Sequence, residues 1–348
     1  MKAKRLSFLD RYLTLWIFLA MIVGISIGYF LPQFSNFVQT LSYNTTNIPL
    51  AIGLIVMMVP PLVKVDFSRL SAIFSKPKLL TLSFLITWVI GPFLMFILAT
   101  LFLKNNPDYM TGLIIIGLAP CIAMVVVWNE LAQGNRELVA GLVGINSLLQ
   151  VLFFSSYAYF YLKFMLPLFG IDAQTIDIHF WDIALTVGIY LGIPFLIAVT
   201  TRYLVIQKKG LDWLNRKFIP VISPITLFAL LFTIIIMFSM KGAMIVSIPM
   251  DVLKVALPLV IFFGIMFIMM FLIAYKMGAK YDENVALSFT ASGNNFELAI
   301  AVSIGVFGIN SGQAFVGVIG PLVEVPALIL MVRLAFWLKK KLYTPTIN

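Results

Sequence analysis

The chain has 348 residues, of which 61% are hydrophobic and 11% charged, and its mean hydropathy is +1.05. Soluble domains carry about 25% charged residues, so this composition excludes a water-facing surface and points to a membrane protein that crosses several times. The net charge of +10 is spread over the joints between apolar segments, which argues for lipid headgroups and against nucleic acid as a partner; a single cysteine excludes a disulfide framework and a multi-cysteine metal site.

A spanning helix needs roughly 20 apolar residues. On that criterion ten segments stand out: 13–31, 48–63, 79–103, 111–133, 138–162, 182–206, 219–240, 252–275, 285–308 and 314–338. Their apolar runs are continuous rather than alternating, which predicts an all-α polytopic membrane protein and not a barrel. The N-terminus has the charged start of a signal peptide, but its apolar part is long enough to span and no small-residue cleavage site follows. It reads as a retained first helix. The 48–63 segment is short and ends at "MMVPPLVKV". With the N-terminus placed inside, 19 of the Lys and Arg residues fall on the inner side and 4 on the outer, with Arg333 left within the last span. That bias predicts both termini in the cytoplasm. With no targeting segment, the expected location is the cell membrane, a prokaryotic inner membrane.

Five spans per half would make the second half enter from the opposite side. The expected organisation is a first five-helix repeat at 1–162, an outer connecting loop at 163–181 with Asp172 and Asp177, a second inverted repeat at 182–338 and a cytoplasmic tail at 339–348. Inverted repeats of this kind belong to secondary transporters, whose sites lie near mid-membrane where helices are discontinuous.

Two spans carry such interruptions at corresponding places. In the fourth, "GLAPCIAMVVVWNELAQGN", Pro120 removes a backbone donor and should unwind the helix. In the ninth, "TASGNNFELAIAVSIGVFG", Ser292, Gly293, Asn294 and Asn295 are successive poor helix formers. Each break is followed by a reactive side chain, Cys121 in one half and Glu297 in the other, both near the bilayer midplane. Glu324 in the tenth span is a second intramembrane acid. A carboxyl at a helix centre costs roughly 2.5 kcal/mol or more and commonly marks an ion or proton path. Each residue also has a plainer reading. Cys121 could be a small buried apolar side chain, Glu297 and Glu324 structural acids, and Asn294 and Asn295 interhelical glue. Trp128 reads as packing or interfacial, and "GISIG" in the first span as a small-residue contact surface suited to dimerisation. His179 sits in an outer loop with no neighbouring ligand in sequence, and "LKKK" near the end reads as an inner-surface anchor.

The quoted motifs resemble those of the arsenite efflux permeases, the Acr-type arsenical-resistance family within the bile acid/sodium symporter superfamily. "LIVMMVPPLVKVDF" is similar to the family's second-span signature and "IGPLVEVPALILMVRL" to its last span; the fourth- and ninth-span motifs are the specific ones, and the likeness covers about residues 10–340. The resemblance implies ten transmembrane helices in two inverted five-helix repeats, with crossing, discontinuous helices 4 and 9, and a core set against a panel. It implies export of arsenite, with antimonite carried by some relatives, in exchange for protons. By motif position the essential thiol falls on Cys121, where arsenic would be held as substrate, and the essential carboxylate on Glu297; Glu324, read from its place in an apolar span, is the second acid expected in proton coupling. Asn294, Asn295 and Ser292 complete the expected substrate site, and Pro120 and Gly293 the helix breaks. Glu130 departs from the family pattern. No cofactor is implied. Two other functions fit parts of the sequence: a sodium-coupled organic anion transporter of the same superfamily, and an intramembrane thiol enzyme. The second lacks a histidine in any span to activate Cys121.

Overall fold

The computed structural model describes residues 13–43, 46–65, 76–171, 178–247 and 249–343. The N-terminal basic cluster, the "NTT" tripeptide at 44–46 in part, and Asp172 and Asp177 of the connecting loop lie outside them. The helices are α1 (Leu13–Phe30), α2 (Pro32–Thr40), α3 (Ile48–Lys64), α4 (Pro77–Leu103), α5 (Pro107–Gly117), α6 (Met124–Leu131), α7 (Arg136–Leu168), α8 (Phe180–Lys209), α9 (Leu211–Met240), α10 (Pro249–Lys276), α11 (Tyr281–Ser292), α12 (Phe296–Phe307) and α13 (Gly312–Tyr343). Six of these are individually long and apolar enough to cross a membrane; α3 and α12 are shorter apolar helices. Each segment picked out from the sequence falls on one helix or on a broken pair. The protein is an all-α polytopic membrane protein, with one two-residue antiparallel pairing, Ser42–Tyr43 with Thr46–Asn47.

Helix ends follow local chemistry. Pro32 starts α2 after a bend of 97° from α1, so α2 turns away from the α1 axis and does not extend it. Asn47 caps α3 by accepting from Leu50 N at 3.1 Å, while its amide donates to Val38 O at 2.6 Å and ties α3 to α2. The other end of α3 is held by the buried Arg202 of α8, whose guanidinium donates to Val63 O at 3.0 Å. Pro92 in α4 has no N–H for the carbonyl four residues earlier, and the preceding turn, Leu85–Ile90, widens into a π-helix. The carbonyl thus orphaned, Trp88 O, receives the Tyr157 hydroxyl of α7. Within lipid such replacement partners are what make an intrahelical proline tolerable.

The helices pack as two groups. α9 lies against α1 and α3, and α3 against α8. In the larger group α10 contacts α4, α11 and α13, while α13 also packs on α5 and α12. The groups meet chiefly where α8 touches α7 and α12, with smaller contacts of α9 on α10 and α13 and of α3 on α7 and α12. At that seam a Cβ on Gly305 would approach Thr186 Oγ1 to 2.7 Å, so only glycine lets α12 come so close to α8. Within the small-residue stripe of α1, Gly24 serves packing inside the chain: a Cβ on it would lie 2.7 Å from Phe238 Cβ and 2.9 Å from Ile235 O, both of α9. Trp128 is fully packed and not interfacial. His179 does have a ligand-type neighbour, since its Nδ1 lies 3.6 Å from Asp182. Among the described residues, however, no group of three or more His, Cys, Asp or Glu side chains could hold a metal.

Candidate functional site

The two interrupted spans meet at their breaks. α5 ends at Gly117 and α6 begins at Met124; α11 ends at Ser292 and α12 begins at Phe296. The extended segments between them pair antiparallel, Pro120 opposite Asn294. Cys121 N donates to Gly293 O at 2.9 Å and Asn295 N donates to Ala119 O at 2.7 Å. Backbone groups freed by Pro120 and by the Ser-Gly-Asn-Asn run therefore satisfy one another in the protein interior. This explains why the chain tolerates two unwound stretches at mid-span.

Side chains brace the crossing. Asn294 Nδ2 donates to Ile116 O at 3.0 Å, the last turn of α5. Asn295 caps α12 by accepting from Leu298 N at 3.1 Å, and its Nδ2 donates to Gln150 Oε1 at 2.9 Å. Gln150 of α7 completes the link by donating to Pro120 O at 2.7 Å. One turn earlier on the same face, Asn146 accepts from Trp88 Nε1 at 2.9 Å. The sequence reading missed Gln150 and Asn146, although two amides four residues apart inside an apolar span were a legible signal for a buried polar face.

Cys121 is 2% exposed, and its thiol lies against the backbone amides of Met124 and Val125 at the start of α6. A Cβ on Gly293 would come within 2.9 Å of Cys121 Cβ and 3.7 Å of Glu324 Oε1, so the bare glycine backbone separates the thiol from the acid. The Glu324 carboxyl faces the Asn294 backbone amide, yet its Oε1 is buried with no hydrogen-bond partner. Asn294 Oδ1 is buried and unpartnered as well. Glu297, at the second position of α12, is half-buried and close enough to act electrostatically on both Cys121 and Glu324.

The expected site residues thus gather around one crossing, but not in equivalent states. Cys121, Glu324, Asn294 and Glu297 have groups free to meet a ligand or proton. Asn295 is committed at both ends of its amide, and Ser292 donates back to Ser288 O at 2.8 Å within α11. Asn295 holds the crossing, and the Ser292 hydroxyl is spent inside α11. Glu130 pairs with Arg136 at 3.2 Å, away from the crossing, and Arg333 is exposed on α13.

A helical membrane protein with two interrupted spans crossing at a buried acid-and-thiol site has the build of a secondary transporter. Residues 51–248 match the model of the sodium bile acid symporter family. The chain is 45% identical to the arsenical-resistance protein Acr3 of Corynebacterium glutamicum, over 98% of this chain and 92% of that one. It is 31% identical to the Acr3 protein of Alkaliphilus metalliredigens, over 96% and 94%, and 33% identical to an uncharacterised transporter of Synechocystis sp., over 95% and 90%. The chain belongs to the sodium bile acid symporter family, and within it to the arsenical-resistance Acr3 proteins.

Proposed function

We propose that this chain exports trivalent arsenic as arsenite from the cytoplasm in exchange for protons, by alternating access, with antimonite as a second cargo of the same soft-centre chemistry. The proposal places it in a cell membrane as ten spans in two inverted repeats, 1–162 and 182–338, with both termini cytoplasmic. The observation that carries it is the pairing of one buried thiol with two unpartnered oxygen acceptors at the helix crossing.

Arsenous acid is uncharged at neutral pH and presents three hydroxyls around a soft centre. Thiolates suit soft metals and metalloids. The Cys121 thiol displaces one hydroxyl: an As–S bond forms, an As–O bond breaks, and the thiol proton leaves with the hydroxide as water. Arsenic remains trivalent. Glu324 Oε1 and Asn294 Oδ1 accept from the two remaining hydroxyls, and water reverses the exchange on the far side. A single As–S bond keeps capture reversible, where three would hold the cargo fast. Glu297, half-buried at the start of α12, takes and returns the counter-proton as access alternates, and Glu324 serves as its partner acid.

Everted vesicles test this directly. Native vesicles should accumulate arsenite under an imposed proton gradient; Cys121→Ser should abolish accumulation with the protein still in the membrane, and Glu297→Gln should abolish the response to the gradient. Unimpaired export by Cys121→Ser removes the thiol from the mechanism. Dependence on sodium rather than protons would favour the organic-anion reading of the family.

A further inference from the structure

A cavity of about 290 Å³ lies on the boundary between the two helix groups. From the smaller group it is lined by Pro61 and Lys64 of α3 and by Ser223, Thr226 and Leu227 of α9; from the larger, by Ala123, the N-terminal turn of α6 and Glu130. Ala123 is two residues from Cys121, whereas Lys64 and Glu130 stand at the end that the charge distribution assigns to the cytoplasm. The cavity therefore runs from the inner side to the threshold of the thiol.

One side chain in it is out of pattern. Hydroxyls on apolar helices ordinarily bond back to a carbonyl of their own helix. On α9, Ser223 donates to Ile219 O at 2.7 Å, Thr233 to Leu230 O at 2.8 Å and Ser239 to Ile236 O at 2.8 Å. Thr226 does not: its Oγ1 is buried without a hydrogen-bond partner, and the residue lines the cavity. An orphan hydroxyl in a largely apolar cavity is costly unless a ligand or water meets it.

We propose that this cavity is a staging site for a small uncharged polyhydroxylated cargo, with the Thr226 hydroxyl as its hydrogen-bonding anchor before transfer to Cys121. Its apolar walls suit a neutral solute better than an anion, and Thr226 can both donate to and accept from a cargo hydroxyl. Because Thr226 sits on the smaller helix group and Cys121 on the larger, cargo held between them couples the two groups as they move. This inference rests on arsenite being the cargo.

The test compares initial rates of arsenite accumulation in everted vesicles for native protein, Thr226→Val and Thr226→Ser. Valine keeps the shape and removes the hydroxyl. It should raise KM about fivefold, the worth of one net hydrogen bond, with the maximal rate unchanged, and serine should restore the native KM. A native KM in Thr226→Val, or a fall in maximal rate at constant KM, overturns the staging role. A separate arm needs no transport: Leu227→Cys in the Cys121→Ser chain should react with a membrane-impermeant maleimide in everted vesicles and not in right-side-out ones. Absence of that reaction overturns the cavity as an inner-side passage. Labelling of the Leu227→Cys, Cys121→Ser chain as expected, together with native vesicles that never accumulate arsenite, would instead overturn the cargo assignment.

Discussion

Gly293→Ala adds one methyl group where the two halves of the site pair, opposite Cys121. Gly293 has φ −84° and ψ 143°, an extended conformation open to any residue, so backbone strain contributes nothing. The perturbation is the methyl alone. It would stand 2.9 Å from Cys121 Cβ and 3.3 Å from Phe289 O. Carbon atoms settle at about 3.5–4.0 Å, so the Cys121 segment must retreat by about 0.6 Å or more against the two backbone bonds that pair it to α11–α12. Such overpacking costs about 1–3 kcal/mol, which leaves the protein folded. Displacement of that size at a reacting atom should lower arsenite export tenfold or more. The assay is accumulation in everted vesicles normalised to protein in the membrane, with thermal unfolding in detergent as the stability control. Native export rates from a folded Gly293→Ala protein would refute the claim that close apposition of Cys121 and Gly293 sets the site geometry.

Three further substitutions probe the supports. Gln150→Leu leaves Pro120 O and Asn295 Nδ2 without their partners; the loss should be about 1–3 kcal/mol for each orphaned group, read by thermal unfolding, with export lost in parallel. Tyr157→Phe strips the replacement donor from Trp88 O and should destabilise the fold by about 1–3 kcal/mol. Adding Pro92→Ala supplies an intrahelical donor and should recover part of that loss, so a double-mutant cycle showing no coupling would sink the assignment. Gly24→Leu drives a side chain into α9 and should lower the unfolding temperature while the oligomeric distribution on size exclusion stays as in the native protein.

The breaks were legible from the sequence because they are built by residues that fail as helix formers, whereas their crossing came only from the family resemblance. Pro120 and the run Ser292–Asn295 announce breaks wherever the chain places them, and the thiol and the acid behind them, Cys121 and Glu297, are conspicuous in apolar spans. What was not legible is which polar atoms remain open. Asn294 and Asn295 are adjacent and chemically identical; only the path of the backbone decides that one amide is spent on Gln150 and Leu298 while the other keeps an unpartnered oxygen. The role of "GISIG" was likewise undetermined, since a small-residue stripe serves a neighbouring helix of the same chain as readily as a second copy. Thr226 carries no signal in sequence at all. Its distinction is a missing bond, visible only against the three hydroxyls on the same helix that make theirs.

The density of bonds around the breaks bears on what can move in the proposed cycle. Ala119, Pro120 and Cys121 are tied to Gly293, Asn295 and Gln150 by two backbone pairs and an amide bridge, and Asn294 adds a fourth link to α5. Opening this crossing would expose several backbone groups to an apolar interior at once, at a cost of about 1–3 kcal/mol for each unpaired group. The boundary between the helix groups is different, because it holds the cavity with Thr226 and is crossed chiefly by packing of α8 on α7 and α12. Packing contacts can slide without orphaning donors. In the proposed cycle the thiol and the paired breaks that hold it therefore travel as one unit, and access to them would change through motion of α1, α3, α8 and α9 across that seam.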